Sequence, residues 1–387
     1  MATLNLPSAG GRLAPYTTRP PRNFPAATPP FNRIAYAAAH VVADPLADGD
    51  PWLEAAIDWE RTIAFRRHLW SLGLGVAEAM DTAQRGMGVD WPTSLEVIRR
   101  SLEAARDFPG ALIASGTGTD HLEAGAGVTI DDVIRAYEEQ CAAVEKLGGR
   151  IVLMASRALV KAARSGDDYA KVYGRILRQV KEPVIIHWLG EMFDPALDGY
   201  WGHKDHGKAM DVAIDVIVAN AEKVDGVKIS LLDKDKEIAM RRRLPQGVRM
   251  YTGDDFNYAE LIEGDAQGYS DALLGIFDAI APAASAALGA LTRGDGKTFH
   301  DILAPTVPLS RHIFKAPTRF YKTGVVFMAY LNGLQDHFTL VGGQESARST
   351  LHLAELFRLA DAAGLLADPE RAAMRMRGVM TVRGVEA

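Results

Sequence analysis

Eight short apolar segments alternate with longer amphipathic segments between residues 34 and 291, and this order constrains the fold more than any other feature. The apolar segments read IAYAAAHVVA, GVAEA, ALIAS, IVLMA, VIIHW, GVKIS, RMYTG and GYSDALL. Alternating strands and helices predict an α/β protein with a parallel sheet, and eight such units favour a closed (β/α)8 TIM barrel. An open doubly wound sheet is disfavoured, because HVVADPLADGD after the first segment lacks the glycine fingerprint of such folds.

The two ends of the chain differ from this repeating part. Residues 1–32 are rich in Pro, Gly, Ser and Thr, which predicts an irregular N-terminal arm. Residues 33–294 contain the predicted barrel. Residues 295–387 show helical patterns without further strands, so we predict a C-terminal helical region.

Charge and cysteine content exclude several classes of function. A net charge of -6 argues against nucleic acid as a partner, which needs a concentrated basic face. Cys141 is the only cysteine, so the sequence offers no disulfide framework and no cysteine-based metal cage. Because the sequence shows neither an apolar run of about 18 residues nor a secretory signal, we expect a cytoplasmic protein with no membrane partner.

A lysine interrupts the sixth apolar segment, VDGVKISLLD. Inside a barrel, Lys228 would lose solvation of its charged form, and its pKa would fall from about 10.4 toward about 7 or 8. The neutral amine can then attack a carbonyl group and form a Schiff base. The alternative is a structural lysine that reaches water at the strand end or pairs with Asp225 or Asp233.

Polar residues follow most of the other predicted strands, where barrel enzymes carry their active groups. They are Asp81 and Thr82, Thr117 and Thr119, Ser156 and Arg157, His187 and Glu191, and Asp254 and Asp255.

Four stretches of the sequence together resemble the dihydrodipicolinate synthase and N-acetylneuraminate lyase family of class I aldolases. The stretches are ALIASGTGTDHL, EPVIIHW, DGVKIS and RMYTGDDF, and the resemblance extends over about residues 34 to 370, as in a divergent member. It implies that Lys228 forms the imine. His187 occupies the position of the family's proton-shuttling tyrosine, four residues after Pro183, and is predicted to be catalytic.

The same resemblance implies a substrate-binding set around this lysine. We predict that it comprises Asp81, Thr82, Thr117, Arg157, Glu191, Gly253 and Asp254. The chain has MDTAQ where the family has Gly-Thr-Thr-Gly-Glu. The carboxylate of Asp81 would repel a substrate carboxylate unless a cation lies between them, and Arg157 is placed to supply one.

These observations predict a Schiff-base aldolase, lyase or dehydratase that acts on a small oxo acid or a sugar-acid-derived carbonyl compound. It is expected to need no cofactor and no metal, and to form a homo-oligomer as its family does. The long segment before the sixth strand is expected to cover the substrate with Tyr200 and Trp201.

Two alternatives remain open at this point. One is a metal-dependent lyase or hydrolase that uses His187, Glu191, His203 and Asp205. The other is a barrel that binds a metabolite without catalysis.

Overall fold

The computed structural model describes residues 1–385. Its ten strands are β1 (Thr3–Pro7), β2 (Leu13–Thr17), β3 (Ala35–Ala38), β4 (Gly75–Glu78), β5 (Ile113–Thr117), β6 (Arg150–Leu153), β7 (Val184–Leu189), β8 (Val224–Ser230), β9 (Arg249–Thr252) and β10 (Asp271–Leu274). Strands β3 to β10 pair in parallel and in sequence order, and β10 pairs with β3 to close the barrel. The predicted (β/α)8 barrel is therefore confirmed, and each of the eight apolar segments overlaps one of its strands.

Helices cover the outside of the barrel and continue after it. Those of the barrel are α1 (Trp59–Ser71), α2 (Trp91–Ala105), α3 (Ile130–Lys146), α4 (Arg157–Ala162), α5 (Gly166–Gln179), α6 (His206–Ala219), α7 (Lys234–Arg241), α8 (Tyr258–Glu263), α9 (Ile276–Ala279) and α10 (Ala281–Thr292). The predicted C-terminal helical region is present as α11 (Gly296–Leu303), α12 (Val307–Ile313), α13 (Tyr321–Leu331), α14 (Thr350–Ala362) and α15 (Pro369–Val382). In residues 1–385, no helix combines the length and the apolar character that crossing a bilayer requires.

Local signals explain where individual helices begin and end. Thr129 caps α3 in a capping box with Asp132, and Gly148 follows the helix with a φ of +78°. The segment after β10 forms two helices, α9 and α10. Ile280 adopts a non-helical conformation between them, directly before the Ala281–Pro282 start of α10.

The interior of the barrel is filled below the strand ends. Tyr36 and Tyr251 lie with their ring centroids 6.1 Å apart. Gly75 and Gly226 make room for these rings, because a Cβ atom at either position would lie 2.6 Å from a tyrosine ring carbon. The packed rings fill the lower half of the barrel, and space for chemistry lies toward the carboxyl ends of the strands.

The N-terminal arm is more regular than its composition indicated. Residues 1–32 were predicted to be irregular, but β1 and β2 form an antiparallel hairpin. The hairpin buries Leu4 and Leu6, and the Tyr16 hydroxyl donates to Asp361 of α14 at 2.7 Å. The prediction is wrong for these residues, because docking on the C-terminal helices stabilises strands that the sequence pattern of the arm did not reveal.

Candidate active site

Lys228 lies at the centre of the barrel, near the carboxyl end of β8. It is paired in register with His187 of β7 on one side and Tyr251 of β9 on the other. Only 7% of its surface is exposed. Burial lowers the pKa of Lys228, and the charges of Asp81 and Asp255 only partly oppose this effect. Within the described part of the chain, the amine forms neither a hydrogen bond nor an ion pair.

A small enclosed space, here called the inner chamber, adjoins this amine. Its volume is about 10 Å³, which is room for one water molecule. The side chains that line it are those of Ala38, Met80, Asp81, Thr82, Leu189, Phe193, Lys228, Ser230, Asp255 and Tyr321, together with Gly275. The chamber therefore combines an amine, two carboxyl groups and three hydroxyl groups.

Asp255, rather than its neighbour, is the carboxyl group of the β9 loop that faces the lysine. Burial raises the pKa of Asp255 to about 7. Asp254 was predicted to bind substrate, but its carboxylate accepts bonds from the backbone of Phe256 and Asn257 at 2.8 and 3.1 Å. Asp254 thus holds the shape of the loop and does not line the chamber, which corrects the prediction.

Gly253 supports Lys228 directly. A Cβ atom at this position would lie 2.9 Å from Cε of Lys228, 2.3 Å from Oγ of Ser230 and 2.6 Å from the carbonyl oxygen of Ile229. The structure thus gives Gly253 a packing role against the lysine stem, where the sequence predicted substrate contact.

His187 is fully buried beside this site. Its Nε2 lies 3.2 Å from Oγ of Ser230, and its Nδ1 has no partner among residues 1–385. Burial and the neighbouring Lys228 hold the pKa of His187 well below its ordinary value. The imidazole is therefore neutral at physiological pH and faces a larger cavity next to the chamber.

The loop after β4 presents Asp81 and Thr82 under backbone strain. Ala79 and Gln84, on either side of the turn Asp81–Ala83, have φ values of +51° and +61°. Glu78, the last residue of β4, anchors the loop through a buried bidentate pair with Arg66 at 2.8 and 2.9 Å. The turn places the Thr82 hydroxyl 2.8 Å from that of Tyr321.

Two further cavities open from the same side of the barrel. The mouth cavity has a volume of about 300 Å³ and is lined by residues that include Asp81, Thr119, Arg157, His187 and Leu189. The basic cavity has a volume of about 210 Å³, and its lining is Asp81, Arg85, Met87, Arg157, Phe193, Asp194, Arg319 and Lys322. Asp81 lines all three spaces, Leu189 lines both the chamber and the mouth cavity, and Phe193 lines both the chamber and the basic cavity.

Two predicted substrate-binding residues point elsewhere. Thr117 turns to the helical layer, where its hydroxyl donates to the Val152 carbonyl at 3.4 Å and lies 3.6 Å from Sγ of Cys141. Strand alternation explains this orientation, because Gly116 is the residue of β5 that faces inward. Glu191 contacts His206 at 3.2 Å and lines none of the three spaces.

In the segment between β7 and α6, Phe193 lines the inner chamber, but Tyr200 and Trp201 do not cover the site as expected. Trp201 and Tyr200 are buried, and Trp201 stacks on Tyr173 of α5 with centroids 4.6 Å apart. Their aromatic surface stabilises the helical layer, so the prediction that these two residues cover the substrate is wrong.

The residues proposed for a metal site are not brought together either. Asp205 caps α6 by accepting from the Lys208 amide at 2.9 Å, while His187 lies inside the barrel. In residues 1–385, no three His, Cys, Asp or Glu side chains are grouped as metal ligands would be.

Tyr321 and Lys322, at the start of α13, were missed by the sequence analysis. Tyr321 lines the inner chamber and Lys322 the basic cavity, and both are buried. The signal was present, because Lys322 interrupts an apolar helix, YKTGVVFMAYL, as Lys228 interrupts an apolar strand.

Lys322 gives a stability prediction with a defined pH dependence. Burial lowers the pKa of Lys322 to about 8, against about 10.4 in an unfolded chain. Below pH 8 the folded state bears the full cost of the buried ammonium. Between about pH 8 and 10.4 the amine of Lys322 is neutral in the folded protein but still protonated in the unfolded chain. The free energy of unfolding of the wild-type protein therefore rises with pH over this range. The Lys322→Met variant is expected to be more stable than wild type at pH 7, and this advantage should shrink by about 3 kcal/mol at pH 10. Urea denaturation of both proteins at pH 7 and pH 10 measures this advantage. The same difference in stability at both pH values would contradict the prediction.

Comparison with solved structures shows the same fold in a known enzyme group. Dihydrodipicolinate synthase from Aquifex aeolicus has a TM-score of 0.64 at 12% identity, over 87% of this chain and 99% of that chain. The corresponding enzyme from Acinetobacter baumannii, complexed with pyruvate, has a TM-score of 0.61 at 17% identity, over 86% and 99%. The E. coli K12 prophage protein YagE, of the dihydrodipicolinic acid synthase family and also in complex with pyruvate, has a TM-score of 0.66 at 13% identity, over 86% and 99%.

These likenesses confirm the fold that the sequence resemblance implied, including the helical region after the barrel. No curated protein matches the sequence. A family model matches residues 4–385, nearly the whole chain, and the protein therefore belongs to the family described as "Protein of unknown function (DUF993)".

Proposed function

We propose that this protein is an imine-forming aldolase, lyase or dehydratase that acts on a small oxo acid or sugar-acid-derived carbonyl compound. The observation that carries the proposal is the Lys228 amine, which is buried at the carboxyl end of the barrel, free of any ion pair among the described residues and in contact with an enclosed space. The likeness to synthases of the same fold supports it.

The first chemical steps use groups that line the chamber. The lone pair of Nζ adds to the carbonyl carbon of the substrate, and the carbonyl oxygen takes a proton to form a carbinolamine. Asp255, with a pKa of about 7, is suited to exchange that proton. Loss of water gives an imine. Its protonated form accepts the electron pair of a breaking carbon–carbon bond or supports loss of a hydroxyl group, and water then releases the product.

The hydroxyl pair of Tyr321 and Thr82 is the second proton carrier in the proposal. The two oxygens lie 2.8 Å apart, and both side chains line the chamber beside Lys228. Burial keeps the pKa of Tyr321 well above its ordinary value, so the phenol stays protonated and relays protons through Thr82. We assign His187 a secondary role, because it contacts Ser230 and faces the mouth cavity as a neutral imidazole.

Removal of the Tyr321 hydroxyl should lower kcat strongly and should reduce the stability of the fold only slightly. Tyr321→Phe is expected to lower kcat by about 10²-fold to 10³-fold, with a loss of stability near 1 kcal/mol. Tyr258→Phe is the matched control, because this buried phenol also bonds to a threonine, Thr306, and lines none of the three spaces. Steady-state kinetics should separate the two variants, and equal kcat values for both would refute the assignment.

Borohydride trapping tests the proposed reaction class. The protein is incubated with pyruvate and with longer 2-oxo acids, sodium borohydride is added, and intact mass followed by peptide mapping locates the modification. We expect the mass of a reduced adduct on the peptide that contains Lys228. An adduct on Lys322 instead, or turnover of any of these compounds without an adduct, would exclude Lys228 as the nucleophile.

A further inference from the structure

The basic cavity is built jointly by the C-terminal helical region and the barrel. Lys322 is the second residue of α13, Arg319 lies in the turn before it, and Arg157 begins α4. Two carboxylates, Asp81 and Asp194, face these cations. The site therefore depends on a part of the chain that lies far from the barrel strands in sequence.

Two of the four cations that line this cavity, Arg85 and Arg157, already form ion pairs. Arg85 binds Asp120 with contacts of 2.7 and 3.1 Å, and Asp120 lies outside the basic cavity. Arg157 forms an ion pair with Asp194. These two guanidinium groups hold the loops around the cavity in place and contribute little net charge to it.

Lys322 and Arg319 are left without a carboxylate partner among residues 1–385. Lys322 is only 3% exposed, and its ammonium contacts the Arg319 carbonyl oxygen and the Met87 sulfur, each at 3.1 Å. One N–H group remains to be satisfied, and a buried ammonium without a counter-ion is costly. The N-terminus of α13 adds further positive potential at this point. The charge of Asp81 offsets only one of these two cations, so the cavity keeps a net positive charge.

We propose that the basic cavity binds a phosphate group of the substrate, with Lys322 as the central donor and Arg319 and Arg157 around it. A cavity with a net positive charge attracts a phosphate monoester, whose charge near neutral pH is about −1.5 to −2. A lysine ammonium binds phosphate as a point charge, and guanidinium groups add directed hydrogen bonds. A cavity of about 210 Å³ has room for such a group.

The position of the cavity relative to Lys228 supports the same assignment. Asp81 and Phe193 line both the inner chamber and the basic cavity, so a substrate with its carbonyl group at Lys228 extends past Phe193 toward Lys322. Asp81 is shared by the two spaces, whereas the two cations without an ion-pair partner, Lys322 and Arg319, line only the basic cavity. The inference rests on the proposed function in assigning the phosphate to a carbonyl substrate.

The test separates phosphate binding from imine chemistry. Inorganic phosphate and succinate are titrated calorimetrically into wild-type protein and into Lys228→Met, in which no imine can form. Both proteins should bind phosphate more tightly than succinate. Lys322→Met in either background should weaken phosphate binding on the order of 10-fold to 100-fold, because one charge-assisted hydrogen bond is lost. Arg319→Gln should weaken it by several fold.

Arg311→Gln is the matched control. It removes the same charge from the same region, but Arg311 contacts Asn257 and does not line the cavity. Phosphate affinity should be unchanged in this variant. No phosphate binding, or equal affinity with and without Lys322, would overturn the inference even if Lys228 is trapped by borohydride. Tighter binding of succinate would overturn the phosphate assignment. Phosphate binding without any borohydride adduct would instead count against the proposed function alone.

Discussion

The Lys228→Met variant is expected to lose turnover while it keeps its fold. Methionine has a similar length and fills the space of the lysine stem, but it cannot add to a carbonyl group. Loss of the nucleophile should lower kcat by at least about 10³-fold. Because the side chain is 7% exposed and has no ion-pair partner among the described residues, stability should stay constant or rise. Initial rates and urea denaturation, measured on the same preparation, check both parts.

Lys322→Met is the control for the borohydride adduct, since it also removes a buried lysine with a lowered pKa but leaves Lys228 in place. It should still form the borohydride adduct on Lys228. If Lys228→Met retained more than about a tenth of wild-type turnover, an imine on this residue could not be part of the mechanism.

The Gly253→Ala variant is expected to damage both the fold and the site. The added methyl group would lie 2.6 Å from the Ile229 carbonyl oxygen, which belongs to β8 and cannot turn away as a side chain can. Overpacking of this kind costs about 1–3 kcal/mol. The methyl group also meets Cε of Lys228, and a displaced amine should lower kcat/KM on the order of 10²-fold. Denaturation curves and steady-state kinetics measure the two effects.

Gly127→Ala is the matched control, because no atom would lie within 4 Å of its Cβ and its φ is not in the left-handed region. Its stability and kinetics should equal those of wild type. A Gly253→Ala protein with wild-type kcat/KM would show that the position of the Lys228 stem is not critical.

The barrel was predictable because its strands are buried on both faces. Such strands read as short apolar runs, and the alternation with helices indicates parallel order without any knowledge of contacts. Lys228 was identified by the same logic, as a charge where the pattern calls for an apolar residue. The hairpin of β1 and β2 was not predicted, because Pro7 and Pro15 indicated an irregular chain. Leu4 and Leu6 nevertheless follow the two-residue period of a strand.

The orientation of side chains at the strand ends was predictable only in part. Thr117 and Asp254 lie next to the inward-facing positions, and a shift of one residue turns a side chain to the other face or into a loop. Gly116 and Asp255 are the neighbours that face the interior. Alternation counted forward from Tyr251 would have separated Gly253 from Asp254, but the loop geometry that turns Asp255 inward leaves no periodic signal.

The contribution of α13 to the site could not be derived from the pattern of the chain. Tyr321 meets Thr82 across 239 positions in sequence, and only the packing of the C-terminal helices on the barrel brings the two together. An apolar helix with a lysine at its second position indicates a buried charge. It does not indicate which cavity that charge will face.

A crystal structure of the protein treated with pyruvate and reduced with borohydride will show whether Lys228 forms the imine. We predict continuous density between Nζ of Lys228 and the former carbonyl carbon, with the ligand in the inner chamber and with Leu189 or Phe193 displaced to admit it. A ligand bound in the chamber without a covalent bond to Lys228, or a covalent bond to a different lysine, would contradict the account.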